Sequence, residues 1–228
     1  PDKPVIEDVS FDVKPGQTIA VVGPTGSGKS TIVKLLLGLY EGYTGSITLD
    51  GQELRDCDPS SIRSFIATVG QDARLFNRSV KFNITLGNPA ISDDDVLNAI
   101  EMANAQHVID KLPDGIHGSL NQFGHQLSSG EAQLISFARA LACPAPLILL
   151  DEATANIDTI NEHAIQKATA ELLKQRTVIV IAHRLSTIQN ADCIIALKHG
   201  KIVESGTHDE LVRADGFYSK LYRMQFEH

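Results

Sequence analysis

Thr18-Ile19-Ala20-Val21-Val22-Gly23-Pro24-Thr25-Gly26-Ser27-Gly28-Lys29-Ser30-Thr31 decides how the rest of the chain is read. Its first five residues form a short apolar run, the pattern of a strand buried on both faces of a parallel sheet. The next eight fit G-x-x-x-x-G-K-[ST], a loop that closes between a strand and a helix. The glycines let backbone N–H groups turn inward around phosphate oxygens, where a Cβ would crowd them. The helix that follows adds the positive end of its dipole at the same place. Lys29 is placed to reach the β- and γ-phosphates of a nucleotide, and Ser30 to offer its hydroxyl to Mg2+. Gly23, Pro24, Thr25, Gly26, Ser27, Gly28, Lys29, Ser30 and Thr31 are therefore expected to hold a nucleoside triphosphate. The loop alone does not choose between a kinase, a GTPase, a helicase and a transporter motor.

Working outward, three more short apolar runs read as buried strands: Leu147 to Leu150, Val178 to Ile181 and Cys193 to Leu197. Between them, Ile32, Leu35, Leu36 and Leu39 recur at helical spacing, as do Leu134, Phe137, Ala138 and Leu141. Strand–helix alternation around buried strands predicts an α/β fold with a mainly parallel sheet flanked by helices. Val5 to Val13 and Ser46 to Leu49, with an Asp50-Gly51 turn, suggest an antiparallel β flap beside that core. Roughly residues 80–142 carry helical patterns without strand signals and read as an inserted helical subdomain. The core is then about residues 1–79 and 143–228. Ser92 with Asp95 marks a helix start, and Asp93 to Asp95 suit its positive end better than a metal site. Thr207-His208-Asp209-Glu210 before Leu211 is a capping box, which makes His208 a structural residue.

A formal net charge of -8 over 228 residues speaks against a nucleic-acid surface and leaves no polybasic patch for anionic lipid. Cys57, Cys143 and Cys193 show no paired spacing and read as reduced, mostly buried thiols. No apolar run approaches the roughly 18 residues that a membrane-spanning helix needs, so this chain is expected to insert no span of its own. Pro1-Asp2-Lys3-Pro4 reads as a cut within a longer polypeptide.

Leu147-Ile148-Leu149-Leu150-Asp151-Glu152 is a buried strand ending in two carboxylates. Beside a phosphate loop, Asp151 can hold Mg2+ through water together with Ser30. Glu152 can orient and deprotonate an attacking water.

The class is decided by Leu127-Ser128-Ser129-Gly130-Glu131-Ala132-Gln133, which precedes a helix containing Phe137-Ala138-Arg139-Ala140-Leu141. This resembles the LSGGQ signature of ABC ATPases. The remaining motifs follow in that family's order: Gln71 in Val69-Gly70-Gln71-Asp72, a D-loop-like Ala155-Asn156-Ile157-Asp158, and His183 in Ile181-Ala182-His183-Arg184. The resemblance covers essentially the whole chain. Leu75-Phe76-Asn77 with Asn83-Ile84, and the ending Gly206-Thr207-His208 through Tyr218 and Leu221, look most like exporters with fused membrane and ATPase domains.

The resemblance implies a P-loop NTPase core of RecA-like type that hydrolyses ATP with Mg2+, paired head to tail with a second ABC ATPase domain. It implies a transmembrane domain in the same polypeptide and a place on the cytoplasmic face of a membrane, the cell membrane first. Ser128 and the backbone around Gly130 would face the partner's γ-phosphate. Gln71 would join Ser30 and Asp151 around Mg2+ and sense the membrane domain. His183 would hydrogen-bond the γ-phosphate and, with Glu152, fix the attacking water. The aromatic that stacks on adenine in the family would lie upstream of Pro1, leaving Ile6 to touch the base.

Two departures modify that picture. Ser129 places a Cβ where the family has glycine, and Glu131 brings a negative charge toward a negative ligand. At ~7 Å and an effective dielectric of ~20, that pair costs roughly 2 kcal/mol. The expectation is a signature that completes a weak or inactive site, as in one half of a heterodimeric multidrug or lipid exporter. Leu120-Asn121-Gln122-Phe123-Gly124 also keeps little of the exporters' TxVGExG-like stretch. The rival readings are a non-transport ABC ATPase of the DNA-repair, chromosome or translation type, a P-loop kinase or GTPase, and a purely structural ATP-binding module. The first lacks its coiled-coil interruption between Gln71 and Leu127, the second does not carry the signature, and Glu152 speaks against the third.

Overall fold

A computed structural model describes residues 4–120, 127–152, 159–182 and 184–226. In chain order its elements are β1 (Thr18–Val22), α1 (Lys29–Leu36), β2 (Thr48–Leu49), β3 (Gln52–Glu53), α2 (Pro59–Phe65), β4 (Ile66–Val69), α3 (Val80–Thr85), α4 (Asp93–Met102) and α5 (Gln106–Ile109). There follow α6 (Ser129–Ala142), β5 (Leu147–Asp151), α7 (Thr159–Gln175), β6 (Thr177–Ile181), α8 (Leu185–Gln189), β7 (Cys193–Lys198), β8 (Lys201–Gly206), α9 (His208–Arg213) and α10 (Phe217–Phe226). They divide into two compact units: Pro1–Ile66, Leu149–Glu152 and Thr177–His228 in the first, Ala67–Ile148 and Ala153–Arg176 in the second.

The first unit is built on a sheet in the order β5-β6-β1-β7-β8. β1 lies parallel to both neighbours, Thr18 opposite Val178 on β6 and Ile19 opposite Cys193 on β7. Every residue of β1 is buried, as are Val178 to Ile181 and Ile194 to Leu197, so the unbroken apolar runs are those of strands covered on both faces. β8 returns antiparallel to β7 and alternates between exposed and half-buried positions, as an edge strand with one wet face does.

Two expectations need correction here. α1 stops at Leu36, where the Leu37 and Gly38 amides turn back to the Val33 and Leu35 carbonyls. Leu39, read as part of its apolar stripe, lies beyond that end and is 65% exposed. The antiparallel flap is present only as the β2–β3 hairpin, Thr48 opposite Glu53 across the Asp50-Gly51 turn. Residues 5–13 form no strand. Asp8 sits at φ 53°, a left-handed conformation that interrupts an extended run, and Glu7 donates instead to the Gly200 carbonyl.

The second unit packs α3, α4 and α7 around α6. Leu134, Phe137, Ala138 and Leu141 of α6, the periodicity read from the sequence, are buried, and so are Ile135 of the same helix, Ile84 of α3 and Val96 and Ile100 of α4. Relative to the expected core boundaries at 79 and 143, this unit also takes the chain from Ala67 and the whole of α7. Ser92 and Asp95 cap α4 reciprocally, while Asp93 pairs with Lys81 and His117. In the first unit, Thr207 and Glu210 form the capping box of α9, and the His208 ring bonds the Tyr218 hydroxyl at 2.7 Å. Cys57, Cys143 and Cys193 are unpaired thiols, half-buried where the sequence suggested burial. Among the described residues, no helix is long and apolar enough to cross a membrane.

Candidate nucleotide site

β1 delivers the chain into the phosphate loop against the carbonyl end of β7. A Cβ on Gly23 would stand 2.3 Å from the Leu197 carbonyl oxygen and 2.7 Å from Ser27 Oγ, so no side chain fits there. Ser27 closes the loop by donating its amide to the Pro24 carbonyl at 3.1 Å. Lys29 folds back across it, its ammonium donating to the Gly23 carbonyl at 2.7 Å and the Pro24 carbonyl at 3.1 Å. Burial pushes this ammonium below its ordinary pKa, and the Asp151 charge pulls in the opposite direction.

The Ser27 hydroxyl is buried and has no hydrogen-bond partner, in a residue 2% exposed. Leaving such a group unmatched costs about 1–3 kcal/mol. A phosphate oxygen is one acceptor that could match this hydroxyl, next to the Lys29 ammonium in the same loop. Pro24, Thr25, Gly26 and Ser30 are exposed, and Thr31 is half-buried on the first turn of α1. Ile6 lies against the start of that helix, its Cγ1 3.2 Å from where a Cβ on Gly28 would be.

The two carboxylates follow from β5. Asp151 ends the strand, and the Glu152 amide donates to the Ile181 carbonyl at 3.1 Å, tying that end to β6. Glu152 is 6% exposed and accepts from the Thr187 hydroxyl at 2.6 Å and the Arg184 amide at 3.2 Å. Sequence reasoning passed over Thr187. Its only signal was position, four residues after His183, on the short helix α8 that faces the acidic strand end. Ser30 and Asp151 offer the hydroxyl and carboxylate oxygens that Mg2+ prefers. Among the described residues, no group of three or more His, Cys, Asp or Glu could hold a metal ion. Gln71, the third expected Mg2+ neighbour, belongs to the second unit and is exposed.

In the second unit, Ser128 caps α6, accepting from the Glu131 amide at 3.2 Å. Ser128 and Ser129 are exposed at the helix start and Gly130 is buried. The expected effect of Glu131 on a ligand is modified by its own partners: it is buried, accepts from the Ser128 amide at 2.8 Å and pairs with the Lys111 ammonium. Burial alone would raise its pKa, but Lys111 and the Ser128 amide outweigh it and hold the carboxyl below its usual value. A second arm reaches Ser128 from α7, where Asn161 stands between the Ser128 hydroxyl at 3.5 Å and the His107 ring at 3.2 Å.

α6 also grips the chain on both sides of Gln71. Gln133 donates to the Gly70 carbonyl at 3.3 Å, and Arg139 donates to the Asn83 carbonyl at 2.7 Å and the Arg74 carbonyl at 3.2 Å. These two side chains carried no chemical signature in the sequence beyond their place on the signature helix. His183, Ala155 to Asp158 and the segment at residues 121–126 lie outside the described residues.

Comparison with known proteins points the same way as the motifs. The family profile described as ABC transporter matches residues 6–155. An uncharacterized ABC transporter ATP-binding protein of Bacillus subtilis is 46% identical over 222 residues, covering 97% of this chain and 37% of its own length. An ATP-dependent lipid A-core flippase of Nitrosococcus oceani is 45% identical over 226 residues, covering 99% of this chain and 38% of its own. Among solved structures, a bacterial Atm1-family ABC exporter with ATP bound superposes with a TM-score of 0.85 at 38% identity, over 97% of this chain and 39% of that one. The chain thus spans about two fifths of the length of the proteins it matches.

Proposed function

This chain belongs to the ABC transporter family, and on that premise we propose that it binds and hydrolyses Mg-ATP as the motor of a membrane exporter. The observation that carries the reading is the buried, unpartnered Ser27 hydroxyl beside the folded-back Lys29, in the unit whose strand end bears Asp151 and Glu152. Gly23 to Thr31 cradle the phosphates, with Lys29 leaving the Gly23 and Pro24 carbonyls for the β- and γ-phosphate oxygens. Ser30, and Asp151 through water, would hold Mg2+, which when bound would neutralise phosphate charge. Glu152 accepts the proton of the attacking water, and His183 fixes that water against the γ-phosphate. Positioning and charge stabilisation of this kind are the main contributions a protein makes to phosphoryl transfer.

A second ABC ATPase domain supplies the other face of the site. Ser128 and the Gly130 backbone, at the N-terminal end of α6, are suited to the γ-phosphate held by that partner. Pairing of Glu131 with Lys111 weakens the electrostatic objection to this signature, which leaves the Ser129 Cβ as its remaining departure and a second copy of this chain as a workable partner. The membrane domain would come from the rest of the polypeptide, with the motor on the cytoplasmic side. Lys29→Ala tests the reading by removing ATP binding, and Glu152→Gln by keeping binding while abolishing turnover. Undiminished hydrolysis in either variant would refute it.

A further inference from the structure

Gly200 lies in the turn between β7 and β8, outside every motif discussed so far, yet three segments of the first unit meet at it. Its amide donates to the Ser27 carbonyl of the phosphate loop at 3.1 Å, and its carbonyl accepts from the Glu7 amide at 2.9 Å. A Cβ at Gly200 would stand 2.2 Å from the Val5 carbonyl oxygen and 3.2 Å from Ile6 Cα. Seen from the other side, a Cβ on Gly28 would meet Ile6 Cγ1 at 3.2 Å, the Val5 carbonyl oxygen at 3.4 Å and Gly200 Cα at 3.8 Å. Residues 5–7 are therefore laid between two glycine backbones, one opening α1 and one turning from β7 to β8. Glu7 and Lys201 add an ion pair at 3.3 Å alongside the Gly200 turn.

The side chain this crossing brings against Gly28, where the phosphate loop opens α1, is Ile6, which is apolar and half-buried. An isoleucine has nothing to offer a phosphate. It has apolar surface to offer a base or ribose. We propose that Gly200 is a positioning residue for nucleotide selectivity: its bare backbone seats residues 5–7 so that Ile6 forms the nucleoside-side wall of the site. The inference rests on the nucleotide-binding reading above. It adds that the chain distinguishes a nucleoside triphosphate from a bare triphosphate through a turn that touches neither.

The test is calorimetric titration of the 228-residue chain with MgATP and, separately, with magnesium tripolyphosphate. Gly200→Ala keeps the amide that bonds Ser27 but forces the Val5–Ile6 backbone away. Gly16→Ala is the control, because Gly16 has nearly the same φ (76° against 78°) and nothing within 4 Å of its would-be Cβ. It carries the backbone strain without the clash. Gly200→Ala is expected to weaken MgATP about tenfold, the scale of one lost apolar contact, and tripolyphosphate by less than twofold. Gly16→Ala should change neither ratio. Ile6→Ala should reproduce the loss, and the double variant Ile6→Ala, Gly200→Ala should lose no more than either single one. Equal loss for both ligands, or an effect no larger than that of Gly16→Ala, would overturn the proposal while leaving the nucleotide-binding reading intact. A wild-type chain that binds no MgATP would overturn both.

Discussion

Lys111→Met isolates the role of the ion pair behind the signature. Lys111 is half-exposed and Glu131 is buried, so the direct loss of fold stability is small after solvent screening, about 0.5–1 kcal/mol. The functional loss is larger. Without its ammonium, the Glu131 carboxylate at ~7 Å from a bound γ-phosphate and an effective dielectric of ~20 costs roughly 2 kcal/mol, about thirtyfold per site. The assay is MgATP-driven self-association of the Glu152→Gln chain, followed by sedimentation velocity across a range of protein concentrations. Lys111→Met should weaken association about thirtyfold or more, and adding Glu131→Gln should recover most of it. A double variant no better than Lys111→Met alone would show that Lys111 acts by packing and not by neutralising Glu131.

Thr187→Val removes the 2.6 Å hydrogen bond to Glu152 between two buried groups. It should cost about 1–3 kcal/mol, several degrees in Tm. Because Thr187 orients the Glu152 carboxylate, kcat of MgATP hydrolysis should fall while MgATP affinity is kept, and an unchanged kcat would remove Thr187 from the site. Gly23→Ala should abolish ATP binding, since its Cβ would sit 2.3 Å from the Leu197 carbonyl oxygen; titration with MgATP reads this directly, and retained affinity would refute the fit. Glu131 has its carboxyl held below the ordinary value of 4.5, so its contribution is complete above about pH 4.5 and is lost as pH falls through the folded-state value. Melting curves should therefore fall more steeply on acidification below about pH 4.5 for the wild type than for Glu131→Gln.

The strands of the first unit were legible because each is a short apolar run buried on both faces, and burial is what the residue pattern encodes. α1 was over-read at Leu39 because helical spacing continues past the point where backbone bonds close the helix. Residues 5–13 looked like a strand by composition. Pairing depends on a partner the pattern does not carry, and Asp8 turns the chain instead. The phosphate loop and the acidic strand end could be read because their chemistry needs particular residue types at fixed spacing. The effect of Glu131 could not, since its partner Lys111 lies 20 positions away and only the packing of the second unit brings the two together. Thr187, Gln133, Arg139 and Gly200 escaped for the same reason. Each acts through a tertiary contact with a backbone or side chain that no local motif announces.

The most direct test is the Mg-ATPase rate of the chain as a function of its own concentration, with Glu152→Gln in parallel. The rate per molecule should rise with concentration toward a plateau and vanish in Glu152→Gln, as two copies complete each other's sites. A rate per molecule independent of concentration, or one that persists in Glu152→Gln, would contradict the two-chain ATP site.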